Sequence, residues 1–186
     1  MAEWDHGGVG DWPAWATARV EVRPADPQWR RLGAAVRCEL DLALARWRIA
    51  PVEHVGSTAV PGLAAKPVLD LQAAVADLGC APAVAEALTD SGWHLVPPEL
   101  DVRPWRRFLV QVVDEVRIAH LHLLTMNSER WGEQLAFRDA LRGDPGLVQR
   151  HAALKQQLAA EHADDREAYT AAKTDFVRSV LGARFA

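Results

Sequence analysis

Three features in the first two thirds of the chain could together handle a phosphoryl group: the pair Gly56-Ser57, Asp70 in an apolar run, and the histidines His54, His120 and His122. A Gly-Ser pair directly after an extended segment allows a tight turn. Its backbone N–H groups, with the hydroxyls of Ser57 and Thr58, can then face an anion. Asp70 stands in PVLDLQAAV. Strand alternation puts Val68, Asp70, Gln72 and Ala74 on one side and Leu69, Leu71, Ala73 and Val75 on the other. A carboxylate left buried and unpaired in such a strand is costly, so Asp70 should face a cleft, a cation or a basic partner. Lys66, four residues earlier, is one such partner.

Further basic residues that could meet phosphate are Arg103, Arg106, Arg107, Arg138, Lys155 and Lys173. Arginine suits phosphate through bidentate donation and lysine through a point charge. Arg138 stands beside Asp139, so a local salt bridge is an alternative use for it, and Lys155 and Lys173 can equally be solvated.

The elements that must position these groups are legible in the periodicity. Asp26-Pro27 opens a helix, with Asp26 as cap and Pro27 in the first turn. Trp29, Leu32, Val36, Leu40, Ala43 and Trp47 then form one apolar stripe, with Arg30, Arg31, Arg37 and Arg46 largely off it. A short strand, RVEVRP, precedes the helix, and PVEHV and PVLDLQAAV read as strands on either side of the Gly-Ser turn. PAVAEALTDSG reads as a helix closed by Gly92, and WHLV as a strand. WRRFLVQVV and VRIAHLHLL are two strands around a turn at Asp114-Glu115. Helical patterns then run to the C-terminus in SERWGEQLAFRDALR, DPGLVQRHAALKQQLAAEHA and DDREAYTAAKTDFVRSVL. The expected plan is a flexible extension over 1–18, an α/β core over 19–126, and a helical region over 127–186 in one compact unit with the core.

The bulk properties exclude several classes. A net charge of -4 argues against a general nucleic-acid binder. Cys38 and Cys80 are the only cysteines and lie far apart, which predicts neither a disulfide framework nor a zinc ribbon. No stretch approaches 18 apolar residues, so no membrane span is expected and a cytoplasmic protein is the default. Trp29 and Trp47 belong to a helix stripe and read as core, whereas Trp105 and Trp131 are candidates for a pocket wall.

EHVGSTAVPGLAAKPVLDL closely resembles the signature of the GrpB family, small bacterial proteins of the nucleotidyltransferase (DNA polymerase β-like) superfamily. DPQW, HLHLL, LAFRDALR, ALKQQLA and YTAAKTDFV resemble its other segments, so the likeness covers roughly residues 19–181. It implies an α/β (α+β) fold, a nucleotidyltransferase-type mixed β-sheet flanked by helices and followed by a C-terminal helical bundle. The family is mostly without an established reaction. It is also found fused to some dephospho-coenzyme A kinases, where it is thought to help folding or assembly, which implies a protein partner.

Superfamily chemistry implies metal-dependent nucleotidyl transfer. Gly-Ser holds the triphosphate, and carboxylates hold Mg²⁺ or Mn²⁺ between the nucleotide and the attacking group. In this reading Gly56, Ser57, Thr58, Lys66, Arg138, Lys155 and Lys173 meet the phosphates and Asp70 is the catalytic metal ligand. The usual pattern is acid-x-acid plus a third acid on a neighbouring strand. Here Gln72 stands in place of the second acid, and AHLHLL carries His120 and His122 with no acid. The carboxylate set is incomplete. His122 and His54 could complete a metal site with Asp70 and Gln72, a set that would also admit Zn²⁺. The alternative is that they are pocket or core histidines making one hydrogen bond each. Without the missing acids, a nucleotide- or phosphate-binding module or an interaction module stands beside the enzyme reading.

Overall fold

A computed structural model of the chain describes residues 22–101, 103–161 and 174–182. The extension expected over 1–18, the start of the strand expected at 19–24, and Lys173 lie outside the described residues.

The first helix, α1 (Gln28–Ala43), starts as its residue types dictate. Asp26 Oδ1 accepts the Gln28 N–H at 2.8 Å, and Pro27 adopts helical backbone. Such a cap is worth ~1 kcal/mol. The helix ends at Ala43 rather than running to Trp47, and its buried line is Trp29, Gly33 and Leu40, with Leu44 just beyond. Leu32, expected in the stripe, is 43% exposed. The stripe is rotated because α1 touches the sheet at Gly33, where any Cβ would collide with the His54 ring.

The remaining elements follow in order: β1 (Glu53–Val55), β2 (Leu69–Val75), α2 (Ala81–Leu88), β3 (Trp93–Val96), α3 (Pro98–Asp101), β4 (Arg107–Val113), β5 (Val116–Thr125), α4 (Glu129–Gly143) and α5 (Pro145–Glu161). A further helix, α6, covers 174–182. The five strands form one mixed sheet in the order β1-β2-β5-β4-β3, with β2 and β5 parallel and the other neighbours antiparallel. Asp114 (φ 49°) and Glu115 (φ 59°) make the hairpin between β4 and β5. Two consecutive left-handed residues match the twist of the strands they join.

Alternation divides the sheet into two faces. Leu69, Leu71, Ala73 and Val75 join Leu109, Ala119, Leu121 and Leu123 on the back face, packed against α1 and α2. Each fully buried leucine there contributes ~2 kcal/mol. On the front face Ala74 and Leu124 pack with Trp131 of α4. Val60 and Leu63, just past the Gly-Ser turn, pack with Ala140, Leu141 and Leu147, which ties that loop to α4 and α5. No helix among the described residues is long and apolar enough to cross a membrane.

Candidate functional site

Register decides what Asp70 meets. Val55, the last residue of β1, pairs with Asp70, so the Gly-Ser turn begins beside its carboxylate. Gly56 has φ 70° and ψ -169°, and a Cβ there would lie 2.5 Å from Asp70 Oδ2. Both the backbone conformation and the close approach require glycine. On the other side, the parallel pairing of β2 with β5 sets Asp70 opposite His120 and Gln72 opposite His122. The antiparallel β4 adds Phe108 opposite His122.

Asp70 Oδ1 accepts from His120 Nδ1 at 2.8 Å and lies 3.7 Å from His122 Nε2. Burial would raise the pKa of Asp70, but the hydrogen bond from His120 and then the nearby His122 ring outweigh it and hold the carboxyl well below its usual range. His120 Nε2 is buried with no hydrogen-bond partner among the described residues. Behind His122 stands Arg106, whose Nη1 donates to His122 Nδ1 at 2.5 Å. Arg106 is itself clamped by Asp101: Nε to Oδ2 at 2.8 Å and Nη2 to Oδ1 at 2.5 Å. A guanidinium only donates, so the single hydrogen of neutral His122 sits on Nε2, on the Asp70 side. Burial lowers the pKa of His122; Asp70 opposes this and Arg106 reinforces it. For Asp101, burial raises the pKa but the Arg106 hydrogen bond and charge outweigh it, leaving the carboxyl below its ordinary value. Phe108 walls the pair of rings, with centroids 5.0 Å from His120 and 5.1 Å from His122.

One ligand atom each from Asp70, His120 and His122 lie within 4.8 Å of one another, close enough for a single cation. The donor chemistry, one carboxylate and two imidazoles, suits Mn²⁺ or Zn²⁺ better than Mg²⁺. For His122 to ligate through Nε2 its hydrogen must move to Nδ1, where it would face an Arg106 donor. Ligation of a cation by His122 Nε2 and the Arg106–His122 hydrogen bond therefore exclude each other.

The other two expected ligands are not brought here. Gln72 shares the Asp70 face but is fully buried, and its Nε2 donates to the Trp131 carbonyl at 3.3 Å, turned towards α4. His54 pairs with Leu71 and so lies on the back face, its Nε2 3.0 Å from Thr58 Oγ1 and its ring beneath Gly33. Alternation along β1 separates it from Asp70.

The expected phosphate ligands divide in the same way. Lys155, on α5, is buried rather than solvated, and its Nζ donates to Ser57 Oγ at 3.1 Å and to the Ala64 carbonyl at 2.5 Å. Lys155 therefore meets the Gly-Ser turn, whose glycine lies against Asp70. The Thr58 side chain turns inward, its hydroxyl donating to the Val68 carbonyl at 3.4 Å. Arg138 braces the sheet edge, donating to Glu53 Oε2 at 2.6 Å, Asp139 Oδ1 at 2.8 Å and the His54 carbonyl at 3.1 Å. Burial opposes its charge, but Asp139 and Glu53 outweigh that and raise its pKa. Lys66 is half-buried in the loop entering β2. The Asp101–Arg106 clamp is a feature that sequence reading missed: Arg106 stood among the residues that could meet phosphate, and the structure turns it onto Asp101 and His122 instead. Trp131 lies in the core and Trp105 packs beside it.

Known proteins share this fold. The fold superposes on the conserved protein GrpB of Enterococcus faecalis with a TM-score of 0.75 and 27% identity, over 89% of this chain and 100% of that one. A cytoplasmic RNA terminal U-transferase shares the fold at a TM-score of 0.52 and 16% identity, over 74% of this chain. The chain spans only 42% of that structure, so the likeness is one of fold. The UPF0157 protein PA4798 of Pseudomonas aeruginosa is 36% identical over 189 residues, 92% of this chain and 72% of the relative. The model of the GrpB protein family matches residues 19–183, a span that takes in the Gly-Ser turn, Asp70, both front-face histidines and Lys155 on its helix, and the chain belongs to the GrpB family.

Proposed function

We propose that the front-face site recognises a nucleotide or another small molecule bearing a phosphate, beside Gly56 and Ser57, without the two-metal chemistry of a polymerase-like transferase. The observation that carries this reading is what surrounds Asp70: among the described residues, the cluster around its carboxylate is completed by two histidines, His120 and His122, and not by further carboxylates. Two-metal phosphoryl transfer relies on several carboxylates to hold the ions between donor and acceptor. The cluster among the described residues offers one. Lys155 and Ser57 supply a positive charge and a hydroxyl at the Gly-Ser turn. When a divalent cation binds, Asp70, His120 and His122 would hold it, and the ion would neutralise phosphate charge.

A second reading, metal-dependent nucleotidyl transfer with Asp70 as its acid, is favoured by the fold likeness to the RNA terminal U-transferase. One experiment separates the two. The full chain is melted with ATP, GTP, CTP, UTP and coenzyme A, each with Mg²⁺, Mn²⁺ or Zn²⁺, and released pyrophosphate is measured in the same samples. Recognition predicts a rise in melting temperature with one ligand, lost in Ser57→Ala and Lys155→Met, and no pyrophosphate. A ligand at 100 times its dissociation constant adds about 2.7 kcal/mol, a readily visible shift. Pyrophosphate release abolished by Asp70→Asn would overturn it in favour of transfer, and flat melts with every ligand would sink both readings.

A further inference from the structure

A second cleft opens on the opposite side of the Gly-Ser turn. It has a volume of about 950 Å³, lies between α1 and residues 58–62, and is lined by Arg30, Arg37, Arg142, His54 and Thr58. It is separate from the Asp70 site, because His54 shares the back face with Leu71 while Asp70 points to the front.

The cleft is cationic in a chain whose net charge is -4. Arg30 and Arg37 make no ion pair among the described residues, and the Nε of Arg37 is buried without a hydrogen-bond partner. Arg142 anchors the opposite wall through its Nε on the Ala59 carbonyl at 3.0 Å. Its contact with Asp139 is a loose 3.6 Å on the exposed side. Burial lowers the pKa of Arg142, and so do the charges of Arg138 and Arg30, while Asp139 and Glu53 oppose the shift. The carboxylate in the lining is Asp26, whose Oδ1 already caps α1. A buried guanidinium nitrogen with no acceptor is costly, and an anion oxygen is the acceptor it fits.

Spacing specifies the shape of the anion. Arg30 and Arg37 are two helical turns apart on one face of α1, about 10 Å along the axis. Arg142 stands across the cleft from them, so the positive charge is spread along it, an arrangement that favours a chain of phosphoryl groups over a single orthophosphate. We propose that this cleft binds an extended small polyanion, a polyphosphate or an ester with more than one phosphoryl group, with its charge met by arginines and no metal ion.

The test is calorimetric titration of the full chain with inorganic tripolyphosphate and with orthophosphate, at low salt in EDTA. The proposal predicts one equivalent of tripolyphosphate, with orthophosphate at least tenfold weaker. Binding should fall at least tenfold in Arg30→Gln/Arg37→Gln and several-fold in Arg30→Gln alone, a change at an exposed position that leaves the core intact. Ser57→Ala should retain it, which keeps the result independent of the Asp70-side reading. Absence of binding, an unchanged affinity in the double variant, or a loss in Ser57→Ala as large as in the double variant would overturn the proposal.

Discussion

Arg106 donates to the Nδ1 of His122 at 2.5 Å, and that single contact puts the hydrogen of neutral His122 on Nε2, the nitrogen that faces Asp70. With Asp101 holding the rest of the guanidinium, His122 presents an N–H to the front-face site. In metal sites the outer nitrogen of a ligating histidine usually donates to a carboxylate or carbonyl. Here the outer nitrogen meets a donor. In this state the Asp70 side of His122 offers a hydrogen-bond donor and no lone pair for a cation.

Removing the clamp should be expensive. Arg106→Leu leaves the buried Asp101 carboxylate without its bidentate partner and should cost ~3–5 kcal/mol of unfolding free energy in urea. Replacing both residues, as Asp101→Leu/Arg106→Leu, should restore most of that. A single-variant loss below about 1 kcal/mol, the size of a surface ion pair, would show that the clamp is not buried in solution.

Exchanging its polarity should change metal affinity. In Asp101→Asn/Arg106→Gln an amide oxygen can accept Nδ1–H, which frees Nε2 of His122 as a ligand. Zn²⁺ should bind this double variant about tenfold or more tighter than the unaltered chain by competition with a chromophoric chelator. Asp70→Asn should weaken Zn²⁺ binding in both backgrounds. Equal affinities with and without Arg106 would show that Arg106 does not compete with the ion.

Gly56→Ala should cost ~1–3 kcal/mol through backbone strain alone. It should also displace Asp70, whose Oδ2 lies 2.5 Å from the new Cβ, and so abolish any ligand-dependent rise in melting temperature. Gly62 also has positive φ (76°), but nothing lies within 4 Å of a Cβ there, so Gly62→Ala serves as the control for strain without displacement. Equal effects of the two substitutions on ligand response would refute the close approach.

Stability should depend on pH through His54. Burial, opposed by Asp70 and reinforced by Arg142, Arg138 and Arg37, lowers its pKa from 6.5 to about 4. The unfolded chain therefore takes up this proton at a higher pH than the folded one. The His54 contribution is full above pH 6.5, declines as the pH falls from 6.5 to about 4, and levels off below. Its full size is about 3 kcal/mol. His54→Gln should flatten the melting-temperature profile across that window, and a profile that keeps its slope in the variant would show that His54 is not the titrating group.

Much of the architecture follows from local sequence. The Asp26 cap, the Gly92 stop, the two-residue turn at Asp114-Glu115 and the alternation through Asp70 depend on neighbours a few residues away, and the structure has them where their chemistry predicts. The convergence of Gly56 with Asp70 is also near-local, since one antiparallel pairing brings them together. The partners of Asp70 and Ser57 are another matter. His120 is 50 residues from Asp70, and Lys155 is 98 from Ser57. Alternation states that a strand has two faces, but not which face a neighbouring strand's histidine shares. The parallel register of β2 and β5 decided for His120 and His122, and the antiparallel register of β1 decided against His54. Gln72 and Asp101 were settled by burial, one turned to Trp131 and the other clamped on Arg106. A side chain's residue type limits what it can donate or accept; which partner it meets is set by the packing of segments far apart in the chain.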